Sequence, residues 1–332
     1  MADAAAAHSA VAICVRTFNR PEFLRRTIAG VLAQTYDNWI LSIFNNGGDP
    51  AAVDAVVGEF GDRLTGRVVV THSSERIEIS LAATRSAAAV NSDFVVVHDD
   101  DDDWEPEFLA RTTSLLSQLD DEFVAVATKA RWIEERPGKD GHWEVVATND
   151  TAYDFLSAVT LEISVVRCPV PPICLLIRRS AWEAVGGYDF ELGFSSDWIT
   201  LLRLLTVGRI ELIPELLAHY YLHAEMTGAK RNISFTEGAH EHSDLVMRDA
   251  LLRDPVREGR VDLAPLINAV SAVDRENSEM LGRALESAQQ IRVDVDHIRH
   301  RLAHLEDRID RLDPTRKRFW REQWDRVRGR NG

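Results

Sequence analysis

FVVVHDDDDDWEPEFL, residues 94–109, sets four apolar residues directly before a histidine, five consecutive aspartates and a Trp-Glu-Pro. Five like charges in a row are costly. At an effective dielectric of about 20, two carboxylates roughly 5 Å apart repel by ~3 kcal/mol, so a folded site must expose them or supply a cation. An acidic run is most often a solvated segment. The flanks argue otherwise. Residues 94–97 have the length and β-branched content of a buried parallel strand, and Pro106 suits the first turn of a helix carrying Phe108 and Leu109. The aspartates therefore sit where a strand ends, and in an open α/β sheet that carboxyl edge is where ligands bind. With the chain extended, Asp99 and Asp101 project the same way, two oxygen donors suited to one Mg2+ or Mn2+.

Working back from this stretch, residues 11–15 read as a buried strand, and Arg16-Thr17-Phe18-Asn19-Arg20-Pro21 leads into an amphipathic helix over 22–34. Pro21 suits the first helical position, and Phe23, Leu24, Ile28, Val31 and Leu32 form one apolar stripe. A second strand over 39–44 ends at Asn45-Asn46-Gly47-Gly48, and a third over 68–71 follows another helix. Strand alternating with helix predicts a parallel sheet. Residues 78–90 are small and alanine-rich, with Arg85 as their one long cation.

The chain has 332 residues, of which 45% are apolar, enough for a large core and roughly two units. A formal charge of −15 excludes nucleic acid as a general partner. The charge is uneven, since residues 314–332 carry seven Lys or Arg against two acids, net +5, leaving −20 for the rest. Cys14, Cys168 and Cys174 lie in or beside apolar runs without paired-thiol spacing, as buried reduced thiols of a cytosolic protein would. Residues 1–9 lack a basic leader region, are read as disordered, and precede the first strand, and no apolar window reaches membrane-spanning length. The expected location is cytoplasmic, peripheral to the inner face of the plasma membrane.

These elements, in this order over about residues 10–235, resemble an inverting glycosyltransferase of family two. The implied fold is GT-A, a single nucleotide-sugar-binding α/β domain with a mostly parallel central sheet. VAICVRTFNRPEFLRRTIAGVLAQTY resembles the family's opening strand and helix, which implies contacts from Thr17, Phe18, Asn19 and Arg20 to the nucleotide. SIFNNGGD resembles the second strand, with Asn45 where the family more often has a base-reading aspartate. Ala83-Thr84-Arg85-Ser86 resembles an element whose arginine, here Arg85, reaches the nucleotide. HDDDDDWEP resembles the Asp-x-Asp element, which implies a metal on Asp101 and Asp99 bridging the donor diphosphate, with Asp99 and Asp100 also on the nucleotide side. Such a cation neutralises charge that develops on the leaving phosphate.

Downstream, residues 123–129 read as a strand, and 131–150 as a hairpin or flexible excursion with no readable function. Residues 173–177 form another strand, followed by a short helix ending at Gly186-Gly187 and then GGYDFELGFSSDWITLLRLL. Spacing alone makes Asp197 a helix cap or first-turn acid, and Asp189 structural. The resemblance implies instead that Asp197 is the catalytic base taking the acceptor hydroxyl's proton, with Ser196 where the family carries a glutamate. After a strand or turn over 211–217, the segment from His219 to His223 resembles a Tyr-x-x-His element. It implies that His223 completes the metal shell, the plainer alternative being a packing histidine. Lys230 and Arg231 are candidates for the diphosphate.

Residues 238–270 read as a helical connector broken at Pro255 and Pro265. Over 271–313, Leu281, Ala284, Ala288, Ile291, Val295, Ile298, Leu302, Leu305, Ile309 and Leu312 recur at steps of three and four, the seam of a C-terminal helical coiled coil. That seam predicts a homo-oligomer, dimer or trimer. In the tail, Phe319, Trp320, Gln323, Trp324 and Val327 share a helical face among arginines, which suits an anionic membrane surface.

Taken together, the expectation is a transferase moving a sugar from a UDP-, dTDP- or GDP-sugar to a hydroxyl of a glycan, glycolipid or other lipid-linked acceptor, or natural product, with Mn2+ or Mg2+, as in polysaccharide biosynthesis. The alternatives are a sugar nucleotidyltransferase, against which VRTFNRPEF lacks a Gly-rich phosphate loop, and a non-catalytic oligomeric scaffold retaining the fold.

Overall fold

The computed structural model describes residues 10–138, 142–188, 195–223 and 239–259, with scattered helical residues between 290 and 319. It divides into two compact units, Met1–Leu251 and Leu252–Gly332. The first is built on β1 (Val11–Thr17), α1 (Pro21–Leu32), β2 (Trp39–Asn45), α2 (Pro50–Glu59), β3 (Val68–His72), α3 (Ile79–Ala88) and β4 (Phe94–Asp99). There follow β5 (Asp103–Trp104), α4 (Phe108–Gln118), β6 (Phe123–Pro137), β7 (Trp143–Asn149), α5 (Leu161–Val166), β8 (Leu175–Arg178), α6 (Arg179–Ala184), α7 (Ser196–Val207) and β9 (Arg209–Leu222). A last helix, α8 (Ala239–Arg257), runs across the unit boundary.

The strands form one sheet in the order β3-β2-β1-β4-β8-β6-β9-β5, with β7 paired to β6. The first four strands in that order are mutually parallel, as strand and helix alternation requires. The expectation of a mostly parallel sheet stops at β8, which is antiparallel to both β4 and β6, while β6 and β9 run parallel. The sheet is therefore mixed. Composition could not report this, because an apolar run such as Leu-Leu-Ile-Arg is buried equally well in either direction. The β6–β7 pair confirms the hairpin reading of 131–150. Pro255 proves to lie inside α8 rather than to break it, two residues before the helix ends, where it forfeits only a last-turn hydrogen bond.

β1 is buried at six of its seven positions, and Leu24, Ile28 and Val31 of α1 join it in one hydrophobic core. Cys14 and Cys174 are buried, and burial pushes the Cys14 thiol up to about 12, so it is inert at neutral pH. Below the aspartates, Trp104 stacks on Phe108 with centroids 4.5 Å apart and donates its indole N–H to Ile173 O at 2.8 Å. Phe108 is wholly buried, so Phe108→Ala is expected to cost about 3–5 kcal/mol in chemical denaturation; a loss under about 1 kcal/mol would mean that this stack does not anchor the loop above it.

In the second unit, residues 297–305 are helical, and of the seam Val295, Ile298, Leu302 and Leu305 are exposed. The rest of the seam, and all of the tail except Arg318 and Phe319, lie outside the described residues. Among the described residues no helix is long and apolar enough to cross a membrane.

Candidate active site

β4 ends at Asp99, and there the chain turns rather than staying extended, with Asp102 N donating to Asp99 O at 3.3 Å. The projection of Asp99 and Asp101 to one side, argued from an extended chain, therefore does not hold. The turn spreads the aspartates over several partners, with Arg20 shared by Asp100 and Asp101 and Tyr221 by Asp102 and Asp103. Asp99 Oδ1 pairs with Arg16 Nη2 at 2.6 Å. Asp101 Oδ2 accepts from Arg20 Nη1 at 2.9 Å, and Arg20 Nη2 stands 3.3 Å from Asp100 Oδ1. Asp102 Oδ1 accepts the Tyr221 backbone N–H at 2.9 Å, and Asp103 meets His219 Nδ1 at 2.5 Å and the Tyr221 hydroxyl at 3.2 Å. Two backbone carbonyls of the run are also held, Asp100 O by Thr27 Oγ1 and Asp101 O by Arg26 Nη2. The arginines supply the counter-charge that five carboxylates need. Where that supply is thinnest the acids are pushed up: burial raises Asp100 to about 7 against the pull of Arg20, and raises Asp102 well above the usual carboxylate range.

Beside this run, Thr17 is buried at the end of β1, Phe18 lies under the Arg76 guanidinium at 4.4 Å, and Asn19 takes a left-handed φ of 53° while accepting Asp49 N–H. The amide of Asn45 is engaged within its own turn, accepting Gly48 N–H and donating to Gly48 O, with His72 Nδ1 3.2 Å away. That turn requires Gly47, whose φ is +79° and whose added Cβ would stand 2.5 Å from Arg76 N. Arg85 is exposed on α3 and lines an open cleft with Phe44, Thr71, His72, Ser73 and Ser74. None of the ion pairs of the acidic run reaches it.

Asp197 lies in the first turn of α7, where its Oδ1 accepts Trp198 N–H at 2.8 Å. The start of α7 is fastened to α3 by a short Ser80–Ser196 hydroxyl hydrogen bond and to Gly187 O by Thr200. This brings Asp197 within electrostatic reach of the acidic edge. Burial opposes the charge on Arg16, but Asp99, Tyr188, Asp197 and Asp100 more than offset it and hold its pKa above the ordinary guanidinium value. Tyr188, whose hydroxyl burial pushes well up, feels Asp197, Arg16 and Asp99 together. Asp99 and Asp197, 98 positions apart in the chain, thus both act electrostatically on one arginine.

His223 closes the other side. It is wholly buried, its Nδ1 has no hydrogen-bond partner, and that nitrogen stands 3.8 Å from Asp101 Oδ2. A carboxylate oxygen and a bare imidazole nitrogen at this separation fit two ligands of one divalent cation. Among the described residues no three His, Cys, Asp or Glu side chains converge to hold an ion by themselves, and Asp99 is turned to Arg16. Lys230, Arg231 and Asp189 lie outside the described residues.

Four residues of this cleft carry no sequence signal for their roles or only a faint one. Arg16 is a long cation ending a buried apolar strand, a hint that could have been followed. Arg26 looks like any helix-surface arginine, Tyr188 like a core aromatic, and Glu135 like one polar residue in a polar hairpin; only the folded chain brings them here.

Residues 8–217 match the profile of glycosyltransferase like family 2. A curated relative, the glucosyl-dolichyl phosphate glucuronosyltransferase of Haloferax volcanii, is 29% identical over 191 residues, covering 56% of this chain and 58% of that protein. The chain thus spans less than two thirds of the length of that relative. Among solved structures, S. aureus TarS residues 1–349 in complex with UDP-GlcNAc is similar with a TM-score of 0.53 at 12% identity, over 68% of this chain and 62% of that one. Mannosyltransferase PcManGT from Pyrobaculum calidifontis, in complex with GDP-Man and Mn2+, is similar with a TM-score of 0.51 at 14% identity, over 81% of each chain. At these identities the two structures speak for the fold, which is α/β and GT-A-like. The family match covers well over half of the chain and spans the acidic edge, the arginines that neutralise it and the helix bearing Asp197, so the protein belongs to the glycosyltransferase like family 2.

Proposed function

We propose that the chain is a metal-dependent, inverting transferase that moves a sugar from a nucleoside diphosphate to an acceptor hydroxyl, with Asp197 as the base and Asp101 and His223 as the protein's cation ligands. The observation that carries this reading is that Arg16, paired with Asp99 at 2.6 Å, also feels the charge of Asp197 from the start of α7. When bound, a divalent cation would supply Lewis-acid neutralisation of the leaving diphosphate. Arg16 and Arg20 would orient that edge, and Asp197 would take the acceptor's proton. Thr17, Phe18 and Asn19 are proposed to line the nucleotide. Because the Asn45 amide is held by Gly48 and His72, base reading is assigned to backbone groups of this turn rather than to that side chain. The Haloferax relative is named for a lipid-linked sugar acceptor, which supports an acceptor of that class here.

The test is a panel of UDP-, dTDP- and GDP-sugars with and without Mn2+, read by thermal stabilisation and by release of the nucleoside diphosphate. A cognate donor at 100 times its Kd should stabilise the fold by about 2.7 kcal/mol, and more with Mn2+ than without. If no sugar nucleotide stabilises the protein and none is turned over, the scaffold reading takes its place. Release of pyrophosphate from a nucleoside triphosphate and a sugar 1-phosphate, offered in a parallel assay, would instead favour the nucleotidyltransferase.

A further inference from the structure

Buried beside the acidic edge is a carboxylate that the proposed chemistry leaves unassigned. Glu135 lies near the end of β6, inward-facing with Ile133, and its side chain is 3% exposed. Its Oε1 receives two hydrogen bonds, from Arg26 Nη1 at 2.6 Å and from His223 Nε2 at 2.8 Å. Arg26 is itself fixed by its second bond to Asp101 O at 2.6 Å and by the Tyr221 ring, 4.0 Å from its guanidinium carbon. Phe23 and Trp143 close over the imidazole with ring centroids 4.8 and 5.0 Å away, so these bonds work in a dry, low-dielectric pocket.

The consequence is a fixed tautomer. A carboxylate paired with an arginine can only accept, so the hydrogen of His223 must reside on Nε2, and Nδ1 presents a lone pair. A packing histidine would satisfy both nitrogens, because a buried polar atom left without a partner costs about 1–3 kcal/mol. Here the unpartnered atom is the one facing Asp101. We infer that Glu135 is a positioning residue, which holds His223 in its Nε2–H form so that the bare Nδ1 and Asp101 Oδ2 together receive a divalent cation. The arrangement is a carboxylate–histidine–cation relay, in which the outer carboxylate orients the ring and raises its basicity. This inference rests on the metal reading above.

The test uses the full chain and Mn2+ as probe, alone and with UDP or GDP, followed by loss of the free-ion electron paramagnetic resonance signal. Glu135→Leu should weaken Mn2+ binding by about 10–100-fold, whereas Glu135→Gln, whose Oε1 can still accept both N–H groups, should retain most of the affinity. Ring 15N shifts, assigned against His223→Gln, should show the Nε2–H tautomer in the metal-free wild type and lose that preference in Glu135→Leu. Should Glu135→Leu fail to fold, Arg26→Leu/Glu135→Leu removes the buried pair together and carries the same expectation. Unchanged Mn2+ affinity in a folded variant lacking the carboxylate, or an Nδ1–H tautomer in the wild type, overturns the role of Glu135 while leaving the metal reading intact. A wild type that takes up no Mn2+ under any of these conditions overturns the metal reading and this inference with it.

Discussion

Asp197→Asn is expected to lower kcat for sugar transfer by roughly 10²–10⁴-fold while leaving donor and Mn2+ binding close to wild type. The exchange preserves shape, and the amide oxygen can still accept the Trp198 N–H that Asp197 Oδ1 accepts now, so the first turn of α7 should stay in place. What is lost is the ability to take a proton, together with one negative charge near Arg16. Since Asp99 holds Arg16 at 2.6 Å, the arginine keeps its nearest partner in the variant. Rapid-quench measurement of transfer beside calorimetry of donor binding separates the two effects. A variant with wild-type turnover would remove Asp197 as the base and restore the first-turn-acid reading that its spacing alone suggests.

Asp101→Ala is the second large effect, and here two free energies of similar size oppose one another. Removal of Asp101 takes one partner from Arg20, but it also removes a negative charge that opposes ionisation of the buried carboxyls of Asp100 and Asp102. Arg20 retains Asp100 at 3.3 Å. Stability is therefore expected to change little, a shift in Tm of at most a few degrees, since about 1 kcal/mol moves Tm by roughly 2–4 °C in a unit of this size. Function should change far more. Loss of a direct cation ligand should exceed the 10–100-fold penalty typical of an outer-sphere partner in Mn2+ affinity, and transfer should fall with it. Wild-type activity in this variant, at any Mn2+ concentration, would show that the acidic run serves the fold and not the donor.

Much of the catalytic half could be read without coordinates. The parallel strands β1 to β4 announce themselves as short β-branched runs separated by helices, and Pro21 marks the start of α1. Those are local signals, carried by side chains a few positions apart. The direction of β8 had no such signal, because burial on both faces leaves the same apolar run whichever way it points. β6 extends well past residue 129, to Pro137, because its far half pairs with β7 and β9 rather than sinking into the core, which leaves a polar sequence in a strand. The base-side turn shows the same limit on a smaller scale. Asn45 looks available for a ligand in the sequence, and only the position of Gly48 and His72 reveals that its amide is already engaged.

By itself the sequence determined that an acidic run would end a buried strand, that the elements around it would follow in the order of a nucleotide-sugar fold, and that so many adjacent carboxylates would need cations. Which cations was a tertiary matter. Arg16, Arg20 and Arg26 each reach across from the opposite end of the first half of the chain, and His223 meets Glu135 across 88 positions. Hydrophobic periodicity records which face of an element is buried, because burial acts on each residue separately. Ion pairs and tautomers depend on strand register and on the approach of two side chains to within about 3 Å, and that is decided only once the sheet has closed.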